Sequence, residues 1–324
     1  MRDLYRRLSA IGFDADFVRN HILPDWWDDA IADVPANRAL AEAWISKMLR
    51  LGVAALQDAS RPLRLPPLTE FRLKRRKGTP PESILPAIVV AEQTARNLVA
   101  QARDVPPFAG RLTAVALRRT ILQDRSTISL QELVQFSWGH GIPVLHIRDL
   151  PKASRRFCGM ALFCGETPVI VLASGHDGPP WLAFHLAHEL GHVLLGHVQP
   201  GGKPLADGDI DQTESDMEER QADEFACYVL TGNERPDARV LIGMRAPALA
   251  RMAKEFGPRQ QIDPGVLALV YGRNAGRMPV AAAALKLLDA QSGAREMIAS
   301  ALRAHLPADL SETGARFADL VTVA

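Results

Sequence analysis

Two histidines four residues apart, with a glutamate directly after the first, open the case for metal chemistry: His188-Glu189-Leu190-Gly191-His192. On a helix, residues at this spacing lie ~40° apart around the axis, so both imidazoles can face one ion. A carboxylate next to the first ligand is set to reach a water on that ion rather than the ion itself. That is the placing of a general base for hydrolysis. Leu190, Val193 and Leu194 give the same helix an apolar backing that holds it against a core. The residues around the pair, from Phe184 to His197, are mostly apolar or small, unlike a solvated helix face. His185 shares the face of His188 and is a candidate rim donor to an oxyanion. A buried or surface histidine with no such role is the plainer reading of it.

A hydrolytic zinc site needs a third protein ligand and one open position. The places three and six after His192 are Leu195 and Val198, which excludes the Gly-and-His continuation of a metzincin. His197, five residues on, falls ~140° round a continuing helix and is expected to point elsewhere. The remaining source is the acidic segment Glu218-Glu219-Arg220-Gln221-Ala222-Asp223-Glu224-Phe225-Ala226. Glu219 and Asp223 share a helix face. Glu219 can ligate while Asp223 hydrogen-bonds the far nitrogen of a ligand histidine, and Glu218 is the rival ligand. Ala222 and Ala226 on the same side let this helix approach the first closely. An oxyanion donor is not evident, since Tyr228, nine residues from Glu219, lies ~180° away.

HELGHVLLGH followed by ERQADEFA resembles the ImmA/IrrE family of bacterial and phage metallopeptidases. That family carries an HELGH helix and then a helix with E-x-x-A-(N/D)-x-F-A, matched here by Glu219, Ala222, Asp223, Phe225 and Ala226. The resemblance spans roughly residues 80–235. It implies a zinc ion held by His188, His192 and Glu219 in the gluzincin manner, with Glu189 as base. It further implies an endopeptidase whose substrate is a helix-turn-helix repressor, cut in a stress, DNA-damage or phage-defence response. A nucleic acid is a candidate activator. The alternative is a regulator that keeps the zinc fold without proteolysis, as a DNA-binding module or antitoxin-like partner; the intact Glu189 favours the peptidase.

The elements that must position these residues suggest an α+β, mostly helical chain. The expected core is zincin-like, a small sheet plus the HExxH helix, flanked by N- and C-terminal helical regions. Boundaries are expected at 1–75, 76–235 and 236–324, the last a candidate regulatory region because it lacks catalytic residues. Gly141–Ile147 reads as a strand. Met160–Phe163 and Pro168–Leu172 read as a hairpin turning at Cys164-Gly165-Glu166-Thr167. Helices are expected at 181–197 and 213–230, and one is capped by Ser129 with Glu132 three residues on. Val169–Leu172 is a candidate edge for an extended substrate. The proline-rich 61–81 reads as a linker. Its basic run Arg72-Leu73-Lys74-Arg75-Arg76-Lys77 reads as solvated rather than phosphate-binding. Leu40–Leu56 reads as helical core rather than a degenerate helix-turn-helix. Asp207-x-Asp209-x-Asp211, with Glu218 at the twelfth place, nearly spells a calcium loop, but the sixth place is Gln212, not glycine. A solvated acidic loop is the simpler reading.

Bulk properties narrow the class. With 324 residues, 47% of them hydrophobic, the chain has material for two or three domains with a real core. A net charge of +1 sets up no global field for nucleic acid. The N-terminus mixes charges without an apolar signal core, and no apolar run approaches ~18 residues. A cytoplasmic protein with no membrane partner is therefore expected. Three cysteines, Cys158, Cys164 and Cys227, fit reduced thiols acting as small apolar residues.

Overall fold

The computed structural model describes residues 1–74, 80–207, 217–236 and 243–322. The N-terminal region is helical: α1 (Arg2–Ala10), α2 (Ala15–Phe17), α3 (Pro35–Leu49) and α4 (Val53–Gln57). Proline opens α3 at its first turn, where a missing N–H costs nothing. Ile45, Met48, Leu49, Leu51 and Leu56 are all buried in the main core. Leu40–Leu56 therefore serves packing, and its second helix, α4, spans only Val53–Gln57.

Helices α5 (Leu85–Gln101), α6 (Ala114–Leu122) and α7 (Leu130–Gly139) follow. Ser129 caps α7 in a capping box with Glu132. The sheet has strands β1 (Arg72–Lys74), β2 (Val144–His146), β3 (Gly159–Cys164), β4 (Thr167–Leu172) and β5 (Leu205–Asp207), in the order β1-β5-β3-β4-β2. The outer pairs β1–β5 and β2–β4 are parallel, and β3 runs antiparallel to both its neighbours. Gly165 turns the β3–β4 hairpin at φ 62°, a conformation that side chains other than glycine resist. The fold is thus α+β, mostly helical, with a small mixed sheet.

Three expectations need correction. Val169–Leu172 is not an edge: β4 pairs with β3 on one side and β2 on the other, and Val169, Ile170, Val171 and Leu172 are fully buried. A continuous apolar run suits an internal strand, and an edge would have exposed it. Residues 61–81 are more than a linker, because Arg72–Lys74 forms β1. The segment expected to be a solvated acidic loop likewise begins within β5, which ends at Asp207. Both strands have three residues, too few to show alternation. Arg75, Arg76 and Lys77 of the basic run lie outside the described residues, as do Asp209, Asp211, Gln212 and Thr213.

Helix α8 (Pro179–Leu195) follows β4 and packs on β3 and β4. It is buried around its whole circumference from Leu182 to Leu194 except at His185. Helix α9 (Met217–Thr231) packs on α8, and α10 (Ala246–Phe256), α11 (Pro264–Asn274), α12 (Met278–Leu287), α13 (Ala294–Arg303) and α14 (Glu312–Asp319) complete the chain. Among the described residues, no helix is long and apolar enough to cross a membrane. The three cysteines form no disulfide; Cys227 is buried, Cys158 and Cys164 half-buried.

Candidate metal site

The site is the crossing of α8 and α9. Glycine and alanine make that crossing close: a Cβ on Gly191 would stand 3.0 Å from the Cα of Ala222 and 3.3 Å from its carbonyl oxygen. Small residues at the contact bring the helices together, and Glu219, one turn before Ala222, is carried up to the histidines. His188 Nε2 lies 3.5 Å from Glu219 Oε2, and His192 Nε2 lies 3.6 Å from Glu219 Oε1. The two Nε2 atoms are 3.1 Å apart. All three side chains are buried.

These residues form a group that could hold a metal ion. Ligand bonds of ~2.0–2.1 Å in a tetrahedron place neighbouring ligand atoms about 3.3 Å apart, and the observed separations bracket that value. The tautomers agree. His188 Nδ1 sits 2.9 Å from Asp223 Oδ1. A carboxylate only accepts, so His188 carries its proton on Nδ1 and presents a lone pair at Nε2. His192 Nδ1 lies 2.9 Å from His197 Nδ1, and His197 Nε2 lies 3.1 Å from Gln221 Oε1. The amide oxygen takes the Nε2 proton of His197, leaving its Nδ1 to accept from His192. With the protons at Nδ1, both Nε2 atoms face one small space, where they could ligate a cation.

Electrostatics support the same picture. Burial opposes ionisation of Asp223, yet its hydrogen bond to His188 and the adjacent Arg273 guanidinium hold it below the usual carboxylate range. Burial, reinforced by the neighbouring His192, holds His197 below the ordinary histidine value.

Glu189 is 1% exposed and lies against the first residue of β3. A Cβ on Gly159 would collide with its Oε1, so the bare backbone there makes room for this carboxylate. Helix α8 ends at Gly196, whose φ of 82° forms a left-handed cap with backbone bonds back to His192 and Val193. That cap turns His197 back toward His192. The expectation that His197 points elsewhere fails because it extrapolated a helix through Gly196.

Glu218, the rival ligand, is instead ion-paired with Arg72 of β1. The same guanidinium donates to the His197 carbonyl at 2.6 Å. So the described start of the basic run is engaged in fastening the site. His185 is half-buried one turn before His188. Sequence reasoning missed His197, Gln221, Gly159 and Arg273. Gly196 was the available signal for His197. Arg273, 50 residues from its partner Asp223, left no local signal.

Residues 139–257 match the family model Peptidase_M78, described as the IrrE N-terminal-like domain. The match begins later than the span read from the sequence motifs and extends further, through α10. No curated protein and no solved structure matches the chain.

Proposed function

From the match of residues 139–257 to the IrrE N-terminal-like peptidase model, we propose that the protein is a zinc-dependent endopeptidase of the ImmA/IrrE kind. The observation that carries this reading is the convergence of His188, His192 and Glu219 ligand atoms, with the buried carboxylate of Glu189 next in chain to His188 on the same helix. Two imidazoles and one carboxylate are a donor set that suits zinc and leaves a position open for reaction. When bound, zinc supplies Lewis-acid activation of a water and of the scissile carbonyl.

The chain's own residues do the rest. His188 and His192 present their Nε2 lone pairs because Asp223 and His197 hold the protons at Nδ1. Glu189, kept in place by the gap at Gly159, takes a proton from the attacking water on a carboxylate oxygen and returns it to the leaving amine. The sheet and α8 then form a zincin-like core, with residues 1–75 and 236–324 as helical flanks.

The family resemblance supports a helix-turn-helix repressor as substrate, cut in a stress, DNA-damage or phage-defence response. That would place the work in the cytoplasm. The test is a cleavage assay against a small helix-turn-helix protein encoded beside this one, using wild type and Glu189→Gln, with zinc measured on both. Both variants are expected to hold zinc and only wild type to cut. If both hold zinc and neither cuts, with or without single-stranded DNA or a stress extract, the protein is a non-proteolytic regulator on a zinc fold.

A further inference from the structure

The two candidate ligand histidines are supported from different parts of the chain. His192 leans on His197, which follows directly from the end of its own helix. His188 leans on Asp223, and Asp223 in turn leans on Arg273 of α11. Arg273 lies beyond residues 139–257, outside the segment that matches the peptidase family.

The contacts around Arg273 are specific. Asp223 divides its oxygens: Oδ1 faces His188 Nδ1 at 2.9 Å, and Oδ2 accepts from Arg273 Nη2 at 2.6 Å. The guanidinium carbon sits 4.1 Å from the centre of the Phe184 ring. Phe184 stands one helical turn before His188 on α8. Arg273 therefore touches both ligand-bearing helices, through a charged hydrogen bond to α9 and a cation–π contact to α8. Its own helix is anchored by the buried Val266, Leu269 and Val270.

We propose that Arg273 is a positioning residue for the metal site, holding Asp223 in the one orientation that fixes the His188 ring. The inference rests on the metal-site reading above. A carboxylate with a single partner can rotate about its terminal bond, but one engaged at both oxygens cannot rotate without losing a charged hydrogen bond. Fixing the outer partner of a ligand histidine fixes the ring and the direction of its Nε2 lone pair. The C-terminal helices are thereby part of the metal site. Metal binding and the docking of α11 are linked, each favouring the other by the same free energy.

The test uses the full chain as wild type, Arg273→Met and Arg273→Lys, each also in an Asp223→Asn background. Zinc affinity is measured by competition with a chromophoric chelator, and the cobalt-substituted proteins are compared by visible absorption. Thermal melts by circular dichroism establish that each variant is folded. Arg273→Met is expected to weaken zinc by roughly tenfold and to shift the cobalt spectrum, with Arg273→Lys recovering part of both. In the Asp223→Asn background, Arg273→Met is expected to do nothing further, because its action passes through that carboxylate. If Arg273→Met fails to fold, Arg273→Lys carries the same cycle.

Wild-type zinc affinity with an unchanged cobalt spectrum in a folded Arg273 variant overturns the proposal and leaves the peptidase reading standing. So does an Arg273 effect that persists in full without the Asp223 carboxylate, which marks ordinary packing. A wild type that takes up neither metal overturns the peptidase reading itself, and this inference with it.

Discussion

Two buried carboxylates show opposite uses of the same chemistry. Glu92 on α5 is 3% exposed and is held by Arg50 at 2.7 Å and Arg96 at 2.9 Å. Glu219 on α9 is 7% exposed and faces two imidazole nitrogens at 3.5 and 3.6 Å. A buried carboxylate needs positive charge close by. Around Glu92 that charge is permanent guanidinium, so the pair joins α3 to α5 and does nothing else. Around Glu219 the neighbours are two imidazoles whose Nε2 atoms face the same carboxylate, a set that could hold a cation. The type of neighbour, more than depth of burial, separates a structural carboxylate from a candidate ligand.

The comparison can be pressed hardest at the third kind of buried acid, Glu189, the proposed general base. Glu189→Gln should lower cleavage by roughly 10²–10⁴-fold while zinc content stays at the wild-type level. A variant that loses its zinc would place Glu189 among the ligands instead.

A buried imidazole away from the site gives a second trial. Burial, with the nearby Arg295 charge adding to it, pushes His146 down to about 4, while its Nε2 bonds the Ser174 carbonyl. Between that value and the ordinary 6.5, the unfolded chain binds a proton that the folded protein refuses. Stability is therefore full above pH 6.5 and falls as pH drops toward 4, by about 3 kcal/mol from this residue. Urea unfolding of wild type and His146→Gln at several pH values should show this difference. Parallel pH profiles would mean that His146 is protonated in the fold.

Gly159→Ala comes next in size. A methyl group there displaces Glu189, so cleavage should drop roughly 100-fold, as for a catalytic group moved by about 1 Å. Zinc affinity measured by chelator competition should be unchanged. Retained cleavage would show that Glu189 reaches its working position by another route.

The mildest change returns to the first pair. Glu92→Gln should cost about 2 kcal/mol in urea unfolding, below the usual penalty for a broken buried ion pair because Arg50 is partly solvated. Its zinc affinity should match wild type. Glu219→Gln should do the reverse, losing zinc while the metal-free fold keeps its stability. Should both substitutions act alike on zinc and on stability, the proposed distinction between the two carboxylates is mistaken.

Legibility in the sequence followed the range of each interaction. His188, Glu189, His192, Glu219 and Asp223 sit in two short windows, each on one helix, where spacing alone assigns a shared face. The structure brings the ligand atoms of His188, His192 and Glu219 within 4.8 Å of one another and sets Asp223 2.9 Å from His188. His197 was misjudged because helical angles hold only while the helix does, and Gly196 ends it. Arg273 has no motif around it; its relation to Asp223 exists only once α11 is packed. The internal place of β4 was written in its unbroken Val-Ile-Val-Leu run, which the edge reading discounted. β1 and β5 lacked the length to announce themselves.

The rim of the sheet has a consequence for how the chain is made. Arg72 pairs in register with Leu205, so a strand that leaves the ribosome early must wait for one that leaves late. During that interval β1 has no partner, and an unpaired strand invites pairing with another nascent chain. Its sequence, Arg72-Leu73-Lys74, is two charges around one leucine, a composition that discourages such pairing. The same Arg72 later grips the His197 carbonyl and Glu218. One side chain thus guards the strand while it waits and then fastens it beside the candidate metal site once its partner arrives.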